Sequence, residues 1–193
     1  MKTVALVIAK QNSKRLSNKN WRDFNGKPMF VWNLLKCLAL FNKTYVSSDT
    51  SLILDIARKH GAIPIHRPAH LCGDTPSITV FQHAIEHMGS PGKPALYNED
   101  IIISVQASAP NVEPSLIQKI KELMETGKFQ EVMTCKRINE DNLEIHGSVW
   151  GLTKKRIENY KNPYEYTAEL FLIDNSIDIH NYDDFLKAQH EPI

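Results

Sequence analysis

Six cations, Lys10, Lys14, Arg15, Lys19, Arg22 and Lys27, fall within eighteen residues against a single acid, Asp23. Fixed cations this close together suit a polyanion. The hydroxyl of Ser13 and the local backbone amides would add hydrogen bonds, so the chemistry on offer is the gripping of a triphosphate. The stretch lacks the glycines of a Walker loop ahead of a Lys-Ser/Thr pair, and it lacks a dinucleotide fingerprint. Charge spacing alone also fits a basic loop that faces water.

Weaker signals lie elsewhere. His83-Ala84-Ile85-Glu86-His87 has the spacing of an inverted zinc-peptidase helix, with two histidines one turn apart. On the helical period Ile78, Phe81, Ala84, Ile85 and Met88 form the apolar face, whereas His83 and Glu86 project away from it with no third ligand in view. Two surface histidines are therefore expected. Asp49 stands where a strand ends and could ligate a metal, but Ser47-Ser48-Asp49-Thr50 reads better as a helix cap. Trp21, Trp32 and Trp150 do not interleave with cations as a base-stacking groove requires, so they are expected to pack in a core or interface.

The elements that must position the basic stretch can be read from periodicity. Val4 to Ala9 is a short, continuous apolar run, the mark of a strand buried on both faces of a parallel sheet. Lys10 to Lys27 follows directly as a loop rich in turn formers. In an open parallel sheet ligands gather beyond the carboxyl ends of the strands, which puts the cations where phosphates would arrive. Pro28 opens a helix whose apolar positions are Phe30, Val31, Leu34, Leu35, Leu38 and Phe41. Next come a strand at Tyr45 to Ser47, a helix capped by Asp49 or Thr50 and running to Lys59, and a strand at Ala62 to His66. A helix over Asp74 to Met88 and a Gly/Pro loop over Gly89 to Lys93 lead to the clearest buried strand, Ile101 to Val105. A helix at Ser115 to Glu125 and a strand at Val132 to Cys135 complete the alternation, which implies right-handed βαβ units in a mostly parallel sheet. Short strands at Ser148 to Leu152 and Leu170 to Ile173 predict a small antiparallel addition, and a last strand around Ile177 and a helix from Asn181 to Gln189 finish the chain. Residues 1–193 read as one domain.

Composition narrows the function further. With 23 Lys+Arg against 22 Asp+Glu the net charge is +1, so no general field favours nucleic acid or an anionic membrane, and neither is expected as a partner. Cys37, Cys72 and Cys135 lack paired spacing, which excludes a disulfide framework or Cys-rich zinc site and favours a reducing compartment. No apolar run approaches the ~18 residues of a membrane span, and Lys10, Lys14 and Arg15 interrupt the apolar start before it could serve as a signal peptide. A cytoplasmic location is expected.

Ile8-Ala9-Lys10-Gln11-Asn12-Ser13-Lys14-Arg15-Leu16, with Lys19-Asn20 and Gly26-Lys27-Pro28, resembles the signature loop of the cytidylyltransferases that activate acidic sugars, the CMP-sialic acid and CMP-Kdo synthetase family. Later blocks are similar to that family's in the same order: Val46-Ser47-Ser48-Asp49, Arg67-Pro68-Ala69-His70-Leu71 with Asp74-Thr75, Gln106-Ala107-Ser108-Ala109-Pro110, and Ser176-Ile177-Asp178-Ile179 followed by Asp184. The resemblance implies a Rossmann-like α/β nucleotide-diphospho-sugar transferase fold. It implies transfer of CMP from CTP to sialic acid, Kdo or a related nonulosonic acid, with release of pyrophosphate, dependence on Mg²⁺ with Mn²⁺ as a substitute, and a homodimer. By the same resemblance Lys10, Arg15 and Lys19 would be catalytic, gripping the triphosphate with Ser13 and Lys14. Asn20 and Arg67 would contact the cytidine, Gln106 would face the acceptor, Asp178 would ligate the metal, and Asp184 would support the site.

The chain also departs from that pattern. Lys10 stands where the family frequently has Arg, which keeps charge but loses a two-pronged donor. His180 stands where sialic-acid synthetases usually carry a second acid, and Ala107-Ser108 where Kdo synthetases have one. Only Lys136 to His146 separate Cys135 from the next strand, so the segment that in the family covers the acceptor and crosses to the partner subunit is shortened around 136–170. These departures leave open a second reading, a nucleotide-binding but catalytically degenerate member of the same fold.

Overall fold

Strand β1 (Thr3–Ile8) carries four consecutive buried residues, Val4 to Val7, as the apolar run requires. The computed structural model describes residues 1–90, 93–94, 96–97, 100–140, 142–165 and 167–193. Six further strands join β1 in one sheet: β2 (Thr44–Ser48), β3 (Ile63–His66), β4 (Ile101–Gln106), β5 (Glu131–Arg137), β6 (Leu143–Thr153) and β7 (Leu170–Ile173). Their order is β7-β5-β6-β4-β1-β2-β3. The chain builds β2 and β3 on one side of β1, then returns to place β4 on the other, with Ala5 opposite both Thr44 and Ile103. The carboxyl ends of β1 and β4 therefore flank a topological switch point, the crevice where such sheets bind ligands.

Alternate residues of β1 feed opposite layers. Ala5 and Val7 pack with helices α1 (Met29–Leu40), α2 (Ser51–Lys59) and α4 (Pro114–Glu125), while Val4 and Leu6 pack with α3 (Ser77–His87) and α5 (Lys154–Glu158). A third, smaller core joins Leu16, Phe24, Met29 and Ile179 to Phe185 and Ala188 of helix α6 (Tyr182–Gln189). Among the described residues no helix is long and apolar enough to cross a membrane.

The structure corrects three sequence expectations, two of them in the C-terminal half. The antiparallel strand is β6, which inserts between β4 and β5 and runs against both, whereas β7 lies parallel to β5 with Leu170 opposite Val132. An apolar run marks a strand but not its direction. No strand forms at Ile177. Instead Ile179 drops into the third core and its amide donates to the Ser108 carbonyl at 2.9 Å, so its apolar neighbours serve a loop docked on the sheet's carboxyl edge. Helix α3 begins at Ser77 with Pro76 as its cap, three residues later than expected. The Gly89–Lys93 loop lies partly outside the described residues; Gly89–Ser90 pairs antiparallel with Lys93–Pro94.

Gly151 on β6 shows how tightly α4 seats. A Cβ there would lie 2.9 Å from Met124 Cγ and 3.0 Å from both Ile103 Cδ1 and Ile120 Cγ2. Overpacking of this kind costs about 1–3 kcal/mol. Gly151→Ala is expected to lower the unfolding free energy by that amount, read as a lower urea midpoint with an unchanged m-value.

Candidate active site

The basic stretch is not a formless loop. Asn25 and Gly26, at φ 50° and 85°, close a two-residue hairpin between Asp23–Phe24 and Lys27–Pro28, the turn chemistry that Asn-Gly favours. Upstream, Lys19–Trp21 form a 3₁₀ turn that buries Asn20, whose Nδ2 donates to the Lys10 carbonyl at 2.8 Å. Asp49 does not cap α2. Thr50 does, accepting from the Leu52 amide, and Asp49 instead accepts from the Gln11 amide at 2.8 Å. Asn20 and Asp49 thus pin the Lys10–Gln11 turn from two sides.

This scaffold opens a cavity of about 280 Å³ at the carboxyl ends of β1 and β4. Lys10, Ser13, Lys14, Arg15, Lys19 and Asn20 line it from the first loop, Arg67 from the end of β3, and Gln106 from the end of β4. Of the nine site residues the sequence proposed, only Asp178 is missing from the wall; His180, two residues on, takes that place. Val80, Phe81 and Trp150 supply an apolar side. Trp150, expected merely to pack, does both, with its ring 5.1 Å from that of Phe81.

The cations are already oriented. Lys10 donates to the Gly73 carbonyl at 2.7 Å, and Lys14 pairs with Asp74 at 2.5 Å in an exposed bridge. Arg15 reaches His180 at 2.8 Å, and Lys19 donates to the Ile179 carbonyl. Burial lowers the pKa of Lys19, the nearby Asp178 works against that, and Arg15 and Lys10 add to it. The contacts of Gly73 with Lys10 and of Asp74 with Lys14 go beyond what the Asp74-Thr75 block implies by resemblance.

Donor atoms on two residues stand out because, among the described residues, nothing accepts from them. Arg67 is 3% exposed, yet its Nε and Nη2 have no partner, and the Ser13 hydroxyl is buried in the same condition. Burial pulls the Arg67 pKa down, with Cys72 and Asp49 opposing, but a guanidinium keeps its charge. Buried polar groups are normally satisfied, so orphaned donors in a cavity wall describe a ligand rich in acceptors.

A divalent ion has one clear handle. Asp178 Oδ1 is buried and without a partner, while Oδ2 lies 3.1 Å from His180 Nε2. Among the described residues no three His, Cys, Asp or Glu side chains gather to cage a metal. A single free carboxylate oxygen beside a phosphate site fits Mg²⁺, which keeps several waters and is completed by substrate oxygens. On α3, His83 and His87 stack at 4.1 Å, with His87 Nδ1 2.8 Å from the His83 carbonyl, and no third ligand joins them.

Behind the site a buried polar cluster anchors the segment that carries Asp178. Asp174 accepts from Ser148, from the Ser176 hydroxyl at 2.6 Å and from the Ser176 amide at 2.9 Å, and faces His146 at 3.4 Å. Burial alone would raise the Asp174 carboxyl, but hydrogen bonds from His146, Ser148 and Ser176 outweigh it and hold the group at about 2. A depressed carboxylate pKa stabilises the fold above the unfolded value of about 4, and that contribution disappears as pH falls through the folded value. It amounts to roughly 2 kcal/mol. Urea unfolding should therefore show a loss of that size between pH 5 and pH 2, and Asp174→Asn should flatten the dependence.

A switch-point crevice lined by clustered cations and unpartnered donors is the arrangement that a polyphosphate ligand would require of an α/β fold. A family model described as cytidylyltransferase matches residues 4–149, and the chain belongs to that family. It is 32% identical over 126 residues to the pseudaminic acid cytidylyltransferase of Campylobacter jejuni, covering 63% of this chain and 53% of that protein. It is 24% identical over 136 residues to the 3-deoxy-manno-octulosonate cytidylyltransferase of Vesicomyosocius okutanii, covering 70% and 52%. The matches thus span about half the length of these relatives. The fold is also that of a CMP:2-keto-3-deoxy-manno-octonic acid synthetase solved with CTP, at a TM-score of 0.75 and 15% identity over 98% of this chain and 97% of that one.

Proposed function

We propose that the chain transfers CMP from CTP to a nonulosonic acid of the pseudaminic, sialic or Kdo type, releasing pyrophosphate. The observation that carries this reading is the pair of orphaned donors, Arg67 and Ser13, set among four oriented cations at the switch point. In the reaction an acceptor hydroxyl attacks the α-phosphorus while the bond to the oxygen of the β-phosphate breaks, pyrophosphate leaves, and the hydroxyl proton passes to solvent. Lys10, Lys14, Arg15 and Lys19 neutralise charge that grows on the leaving pyrophosphate. The planar fork of Arg67 holds the cytidine portion. Asn20 lines the cavity and also braces its first turn, because its amide nitrogen is committed to the Lys10 carbonyl. Gln106, with its amide oxygen receiving the Ser108 hydroxyl at 3.2 Å, faces the acceptor. Asp178 Oδ1 would hold Mg²⁺ or Mn²⁺, which supplies positive charge to the phosphates and fixes their orientation.

The β5–β6 hairpin stands where the resemblance implies a longer lid, and Ile138, Leu143 and Ile145 are exposed on it. A homodimer across this edge would cover them. The test is a panel of pseudaminic acid, N-acetylneuraminic acid and Kdo with CTP and Mg²⁺. Release of pyrophosphate and a CMP conjugate with at least one acceptor is expected. CTP binding without turnover on any of them overturns the transferase reading in favour of nucleotide binding alone.

A further inference from the structure

We infer that His180 is a positioning residue, bridging Arg15 to Asp178 so that Arg15 stays aimed at the phosphates and one Asp178 oxygen stays free for a divalent ion. The bridge is read from geometry; its use in catalysis rests on the CTP-dependent function proposed above.

Arg15 Nη2 lies 2.8 Å from His180 Nδ1, and His180 Nε2 lies 3.1 Å from Asp178 Oδ2. Arginine only donates, so Nδ1 must offer its lone pair, and an ionised carboxylate only accepts, so Nε2 must carry the hydrogen. Both neighbours demand the same neutral tautomer. The ring's backbone is fixed too. The His180 amide donates to Asp184 Oδ2 at 2.9 Å, and Asp184 is held by the capping box with Asn181 that starts α6. On the other side Ile179 is fully buried and its carbonyl receives Lys19.

The choice of an imidazole has an electrostatic consequence. A carboxylate at position 180 would form an ion pair with Arg15 and cancel much of the charge it offers to phosphate. A neutral ring holds the guanidinium in place and leaves that charge intact. On Asp178 the ring occupies Oδ2, and Oδ1 is the oxygen without a partner.

Long-range ¹H–¹⁵N spectra of the histidine rings in the full chain test the bridge without any nucleotide. The His180 signals, identified by their loss in His180→Asn, should show the neutral Nε2–H form and should shift in both Arg15→Ala and Asp178→Asn. A ring protonated on Nδ1, or one indifferent to both variants, overturns the bridge. Calorimetry with CTP then tests its use. His180→Ala should weaken metal-free CTP binding about tenfold, whereas His180→Asn, whose amide oxygen replaces Nδ1 as acceptor, should restore most of it. Electron paramagnetic resonance of Mn²⁺ should show tighter binding to His180→Asp. Equal CTP affinity in the wild type, His180→Ala and His180→Asn overturns the positioning role. A wild type with the Nε2–H ring but no CTP affinity supports the bridge while removing the proposed function.

Discussion

Arg67→Met should destroy CTP binding and raise thermal stability in the same molecule. The wild-type guanidinium is 3% exposed with Nε and Nη2 unsatisfied, so folding strips it of water without returning equivalent hydrogen bonds. Removing an incompletely paired buried charge relieves its desolvation cost, and the lost attraction of Asp49 and Cys72 offsets part of that relief, which leaves a net gain of about 1 kcal/mol. For a chain of this size that corresponds to roughly 2–4 °C in Tm. The loss on the ligand side is larger. Two hydrogen bonds from a charged donor are worth about 1.5–3 kcal/mol each, so CTP should bind at least about a hundredfold more weakly. Arg67→Lys keeps the charge but not the fork, and should fall between the two in affinity. Calorimetry with CTP and a ligand-free thermal scan read both quantities. A lower Tm with unaltered CTP affinity would show that Arg67 is structural and the cavity serves something else.

Such opposed effects arise where a fold holds a group for its ligand and not for itself, and this bears on what the sequence could disclose. Strands β1 and β4 were legible because each is a continuous apolar run, buried on both faces in the structure. The insertion of β6 between β4 and β5 was not, because strand order is settled by pairing between distant segments, which no local pattern encodes. The Asn25-Gly26 hairpin is written in the residues, although the density of turn formers between Lys10 and Lys27 suggests only a loop. At the site, the first-loop cations were visible as charge density, whereas Asp74 met Lys14 across sixty positions and offered no comparable signal. Arg67 was nominated by family resemblance. Only its burial and its unpaired donors give that nomination a physical basis. Asp174, His146, Ser148 and Ser176 are scattered polar residues in the sequence, and become a unit only once β6 and the segment after β7 are side by side.

Asp178 is the residue whose loss should cost the most turnover. Its side chain is mostly buried, with Oδ2 taken by a histidine and Oδ1 without a donor among the described residues. The positive charge of nearby Lys19 attracts this half-satisfied carboxylate. Asp178→Asn removes the charge while keeping the shape, so the chain should fold with a similar urea midpoint. The proposed reaction should respond very differently. Removing one electrostatic element aimed at charge developing in the transition state costs about two to three orders of magnitude in rate, and pyrophosphate release should fall by at least that much. Metal-free CTP binding should hold or tighten, because a negative charge has left the vicinity of Lys19 and Arg15. The split between these readouts identifies the role. If turnover and CTP affinity fall together, Asp178 is helping to shape the nucleotide cradle; if turnover survives, the divalent ion is held somewhere other than this carboxylate.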